Sequence, residues 1–146
     1  MERPGTNEYT IMIVEDNLAD VVLVREALHA YRVHCSLETY ENGDRAVQAL
    51  SRRAHDNTAA LPNLVLLDWN LPTIGGADVL RAIRDWPQFH SVPVAVLTSS
   101  NSPRDQAQAL SLGATRFIQK PLGLDDFINQ VGRQVRELLG LKGSGF

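Results

Sequence analysis

The chain has 146 residues, 14 of them Lys or Arg and 17 Asp or Glu, for a formal net charge of −3; this suits one domain with a real core and is short for two. Basic residues are scattered, as in Arg52-Arg53, which argues against a nucleic-acid or anionic-membrane surface. The lone Cys35 excludes a disulfide framework or a cysteine-based zinc site, and the lack of a leader or bilayer-length apolar run makes a cytoplasmic protein the expectation.

Residues 1–8 are polar, carry Pro4-Gly5 and read as a flexible tail, as do residues 141–146; the folded domain is expected over 9–140. Ile11-Met12-Ile13-Val14 reads as a buried strand and runs into Glu15-Asp16. A helix is predicted from Leu18 to Ala30, with Asn17 as cap and Leu23, Val24, Ala27 and Leu28 on one stripe. A more polar strand over His34–Tyr40 suits a sheet edge. Asn42-Gly43 marks a turn, and a helix follows from Asp44 to about Arg53.

After a loop over His55–Asn63 comes Leu64-Val65-Leu66-Leu67, a central strand running into Asp68. Gly75-Gly76 precedes a helix from about Ala77 to Trp86, which Pro87 ends. Val94-Ala95-Val96-Leu97 runs into Thr98. Ser102, Pro103 and Asp105 resemble a capped helix start with a capping-box acid, and the helix to Leu112 is poor in large apolar residues, so it is expected to be loosely held. Phe117-Ile118-Gln119 runs into Lys120-Pro121. The last helix, Leu124 to Leu139, carries Leu124, Phe127, Ile128, Val131, Val135 and Leu138 at helical spacing; Ile128 and Leu139 offer a face for a homodimer.

Five strands and five helices in alternation imply parallel pairing through right-handed crossovers. The fold class expected is α/β: a doubly wound (βα)5 sandwich with a five-stranded parallel sheet in the order 2-1-3-4-5. Ligands of such sheets bind outside the carboxyl ends of the strands, where the order reverses. Glu15, Asp16 and Asp68 converge there in this topology. Three carboxylates repel one another and invite a cation; an all-oxygen site with room for waters suits Mg²⁺, with Mn²⁺ able to substitute. One carboxylate can then attack a phosphoryl group, and Asp68, mid-sheet, is placed for it. Thr98 and Lys120 can bond or neutralise the phosphoryl oxygens. Each piece alone is ordinary: an acidic pair after a strand is usually a solvated loop, and a strand-end aspartate is usually a turn former. The combination at successive strand ends carries the argument.

Taken together, the acid pair in VEDN, the LLDWNLP segment, VLTSS and the GATRFIQKP segment resemble the receiver domain of two-component response regulators, from about Tyr9 to Leu139. The resemblance implies that Asp68 is the phosphoacceptor, Asp16 a direct metal ligand, Glu15 a ligand acting through water, and the Asn70 carbonyl a further ligand. It makes Thr98 the switch hydroxyl, Lys120 its paired ammonium and Phe117 the rotating aromatic, with Asn70 and Ser100 tuning the acyl phosphate lifetime. The Lys120–Pro121 bond is cis in many such domains. Where many relatives have Asp-Gly this chain has Gly75-Gly76, and Gly123 stands where a Ser or Thr cap is common.

The EDNLADVVLVREAL stretch resembles stand-alone regulators of bacteriophytochrome-type and similar hybrid sensor histidine kinases. The expected protein is thus a phosphoacceptor and not a metabolic enzyme, with a kinase as donor and a downstream protein or phosphotransfer partner.

Three rival readings are weaker. A haloacid-dehalogenase-type phosphatase needs a second acid two residues after the nucleophile, where this chain has Asn70. A flavin module wants a Ser/Thr/Gly-rich phosphate loop after the first strand, and EDNLAD has the wrong charge. A receiver-like module that only binds would not need the complete acid, threonine and lysine set. His29, His34, His55 and His90 show no ligand spacing, and Trp69 divides between pocket rim and core.

Overall fold

The structure is a computed structural model that describes residues 9–56 and 60–141. The expected tail over 1–8, residues 57–59 of the expected loop and residues 142–146 lie outside the described residues. Five strands form one sheet: β1 (Tyr9–Val14), β2 (Cys35–Tyr40), β3 (Leu64–Leu67), β4 (Val94–Thr98) and β5 (Arg116–Gln119). The helices between and after them are α1 (Leu18–Ala30), α2 (Gly43–His55), α3 (Gly76–Asp85), α4 (Pro103–Ser111) and α5 (Leu124–Leu138). Every strand pair is parallel and the order is β2-β1-β3-β4-β5, as the alternation predicted.

Alternate residues of the strands feed two separate cores, because side chains alternate across a sheet. Met12, Val14, Val65, Leu67, Val94 and Val96 point to the side covered by α2 and α3. Ile11, Ile13, Leu64, Leu66, Ala95, Leu97 and Ile118 point to the side covered by α1 and α5. Strands buried on both faces need apolar residues at every position, which is why β3 and β4 lack polar alternation. Among the described residues no helix is long and apolar enough to cross a membrane.

Several boundaries differ from the sequence expectation for local reasons. Asn42, read as part of a turn, caps α2: its side chain accepts from the Arg45 N–H at 2.9 Å, so the helix starts at Gly43. Trp86 leaves α3 in an extended conformation (φ −89°, ψ 118°), as the residue before a proline tends to. Pro87 then opens a short 3₁₀ turn, Pro87–Phe89, that buries Phe89 completely. Trp69 is a core residue. Leu124 was expected on the buried stripe of α5, but it is the helix's first residue and is 58% exposed; the stripe begins at Phe127. Ile128 and Leu139, read as spare, are half-buried against the core beneath α1 and α5, and Leu141 packs there too. Ala109 alone of α4 is buried among the described residues.

The two glycines at the start of α3 do different work. A Cβ on Gly76 would lie 2.6 Å from the Asp68 carbonyl oxygen and 2.8 Å from Trp69 Cα, so only glycine lets α3 start against that backbone. Gly75 is the cap of α3 and gives it no side-chain hydrogen bond, while a Cβ there would meet nothing nearer than 3.8 Å. In urea melts, Gly76→Ala should therefore cost about 1–3 kcal/mol through overpacking. Gly75→Asp should instead gain a few tenths of a kcal/mol, roughly the difference between an Asp and a Gly cap.

Candidate functional site

The sheet's hydrogen-bond ladder continues past the strand ends and fixes the backbone of the site. Glu15 N–H donates to the Tyr40 carbonyl at 2.9 Å, Asp68 N–H to the Val14 carbonyl at 3.0 Å, and Lys120 N–H to the Thr98 carbonyl at 2.7 Å. The functional side chains thus sit on the most constrained backbone available, at the point where the strand order reverses.

Glu15, Asp16 and Asp68 come together there: one carboxylate oxygen from each lies within 4.8 Å of the others. Glu15 and Asp68 are buried, whereas Asp16 is exposed. The Asn17 N–H donates to Glu15 Oε2 at 3.2 Å, and the Asn70 N–H to Asp68 Oδ1 at 3.3 Å. Lys120 reaches in from the end of β5. Its Nζ stands 2.6 Å from Glu15 Oε1, 2.7 Å from Asp20 Oδ2 and 3.8 Å from Asp68 Oδ2. The Lys120–Pro121 bond, for which the resemblance suggested a cis form, is trans.

Thr98 is fully buried, and its Oγ1 accepts from the Ser100 N–H at 3.3 Å. Phe117, paired with Val96 in the sheet register, is half-buried and packs on the α2–α3 side of the sheet. The Ser100 hydroxyl donates to Asp105 Oδ2 at 2.6 Å and accepts from the Ser102 N–H at 3.2 Å. Asp105 therefore spends its carboxylate on Ser100, while the Ser102 side chain caps α4 by accepting from the Asp105 N–H at 3.2 Å.

Asp20 escaped the sequence reading. An aspartate in the first turn of a helix suggests a favourable interaction with the helix dipole and nothing more. The available signal was position: Asp20 stands in the first turn of α1, directly after the acid pair that ends β1, and so stays at the same sheet edge.

The electrostatics follow from burial. Loss of hydration pushes the Glu15 carboxyl up to about 7, with the Asp68 charge adding to it, against the hydrogen bond from Lys120. Burial also works against the Lys120 ammonium, but its hydrogen bonds to Asp20 and Glu15 and the charge of Asp68 outweigh that and raise its pKa. In the neutral range the site therefore holds a firmly charged ammonium among its acids. Its donors are all oxygen, which suits a hard divalent cation sharing Glu15, Asp16 and Asp68 with solvent.

Comparison with known proteins agrees with this geometry. The family model for the response regulator receiver domain matches residues 11–132. Response regulator Rcp1 of Synechocystis sp. is 33% identical over 121 residues, covering 83% of this chain and 82% of that one. The phosphorylated cyanobacterial phytochrome response regulator RcpA superposes with a TM-score of 0.83 at 31% identity, over 92% of this chain and 96% of that one. The Mn²⁺-bound form of Rcp1 gives 0.81 at 30% identity, over 92% and 97%. The sheet order, the gathered acids with their lysine, and these likenesses converge: the chain belongs to the response regulator receiver domain family of two-component systems.

Proposed function

We propose that this receiver accepts a phosphoryl group on Asp68 from a sensor histidine kinase, of the phytochrome type, and passes the signal on through a changed protein-binding surface. One observation carries the reading: a buried aspartate sits within 4.8 Å of two further acids and 3.8 Å from a lysine ammonium. The phytochrome assignment draws support from RcpA and Rcp1.

In this reading Glu15, Asp16, Asp68 and the Asn70 carbonyl hold Mg²⁺, or Mn²⁺ in its place. When bound, the cation supplies positive charge that draws in and screens the phosphoryl oxygens. An Asp68 oxygen attacks phosphorus in line, the phosphohistidine P–N bond breaks, and the histidine nitrogen takes a proton as it leaves. Asp68 thereby exchanges one negative charge for nearly two. Lys120 offers an N–H to the new oxygens. Thr98 turns its hydroxyl from the Ser100 N–H toward them, and the space it leaves accommodates Phe117. Phe117 has no phenolic hydroxyl, so its switching is steric. Asn70, beside Asp68, and Ser100, tied to Asp105, tune access of water to the acyl phosphate. The altered surface comprises α4, β5 and α5, in a two-state equilibrium biased by phosphorylation.

With acetyl phosphate and Mg²⁺, the wild-type chain should gain the mass of one phosphoryl group and Asp68→Asn none; undiminished labelling of the variant refutes the assignment. A second outcome concerns pH. In chelator, Glu15 keeps its proton up to about 7 when folded but ionises near 4.5 when unfolded. Between those values the unfolded chain binds fewer protons than the folded one, so the stability of the metal-free protein should fall as pH rises from 4.5 to about 7, by roughly 3 kcal/mol at most. Urea melts from pH 5 to 8 should show that slope, Glu15→Gln should flatten it, and Mg²⁺ should oppose it by favouring the ionised form.

A further inference from the structure

An ammonium group has three N–H donors. Lys120 directs one to Glu15 and one to Asp20, at 2.6 and 2.7 Å. Asp68 Oδ2, at 3.8 Å, lies beyond hydrogen-bond reach, so the third donor has an acceptor nearby and no bond to it. A phosphoryl oxygen carried on Asp68 would occupy that gap.

The two acceptors that fix the ammonium come from different elements. Glu15 extends the end of β1, and Asp20 lies in the first turn of α1. Glu15 belongs to the metal-binding cluster and must share its carboxylate with it; Asp20 does not belong to that cluster. Asp20 is itself held firmly, since its N–H is bonded by both the side chain and the carbonyl of Asn17, the α1 cap. A lysine stem has four rotatable carbons, and one shared acceptor would leave its head free to swing.

We propose that Asp20 is a positioning residue for phosphoryl transfer, holding the Lys120 ammonium so that its remaining N–H faces the phosphoryl group on Asp68. This rests on Asp68 being the phosphoacceptor. Asp20 touches neither the reacting atoms nor the cation; it acts through Lys120.

The test is autophosphorylation by acetyl phosphate, measured as a function of Mg²⁺ in the full chain, in wild type, Asp20→Ala, Asp20→Asn, Lys120→Met and the double variant Asp20→Ala with Lys120→Met. At saturating Mg²⁺, Asp20→Ala should slow the reaction about tenfold, the scale of one hydrogen bond to a charged group. Asp20→Asn, which keeps an oxygen acceptor and the shape, should fall between it and wild type. Half-saturating Mg²⁺ should move by less than about threefold, since the charge removed lies outside the cluster. Combined with Lys120→Met, the loss of Asp20 should have no further effect, because residues acting as a unit are not additive. Wild-type rates in Asp20→Ala, a slowing wholly recovered by added Mg²⁺, or an undiminished slowing in the Lys120→Met background would each overturn the proposal. If wild type is labelled on Asp68 and Asp20→Ala matches it, this inference alone falls; if wild type takes no label, the phosphoacceptor reading falls with it.

Discussion

Mutual repulsion among carboxylates is the constraint around which this molecule is organised. Two unit charges about 4 Å apart cost on the order of 4 kcal/mol at an effective dielectric near 20. The fold nevertheless draws Glu15, Asp16 and Asp68 to one sheet edge, with Asp20 on its flank. One ammonium, Lys120, bonds two of the four and approaches a third. The arrangement is tolerable because a rigid framework imposes it: two apolar cores, one on each face of the sheet, hold the strand ends whose next residues are charged. The stability of the cores is converted at their rim into an electrostatic need that a cation can meet.

The same framework holds some parts of the molecule more tightly than others. Asp68 is braced from two sides: its N–H is bonded to Val14, and its carbonyl backs directly onto the start of α3 at Gly76. The Asp68 main chain thus has little freedom. Helix α4 has more, because Ala109 alone of its described residues is buried.

Much of this was legible in the residues. Apolar runs without polar alternation announced doubly covered strands, and the order of strand ends placed Glu15, Asp16, Asp68, Thr98 and Lys120 along one rim. Local chemistry also read true at Asn17, whose oxygen accepts from the N–H groups of Ala19 and Asp20. The misses share a cause: they depend on contacts between segments far apart in the chain. Asp20 drew no reading because its partner lies 100 positions away. Leu124 fitted a helical period but fell on the first turn, before the helix meets the sheet. Ile128 and Leu139 seemed surplus to α5 alone, yet they face a core that α1 and α5 build together. Phe89 lay between a helix breaker and a strand and followed no period, so only packing could identify it as core.

Helix α4 rests on a slender base: a serine cap, the Ser100–Asp105 hydrogen bond and one buried alanine. Most of its side chains thus answer to no interior neighbour. Their identity is free to drift without disturbing the acids, the lysine or the strands beneath. A fold built this way can remodel one outward face by changing a few residues while the packing beneath stays as it was.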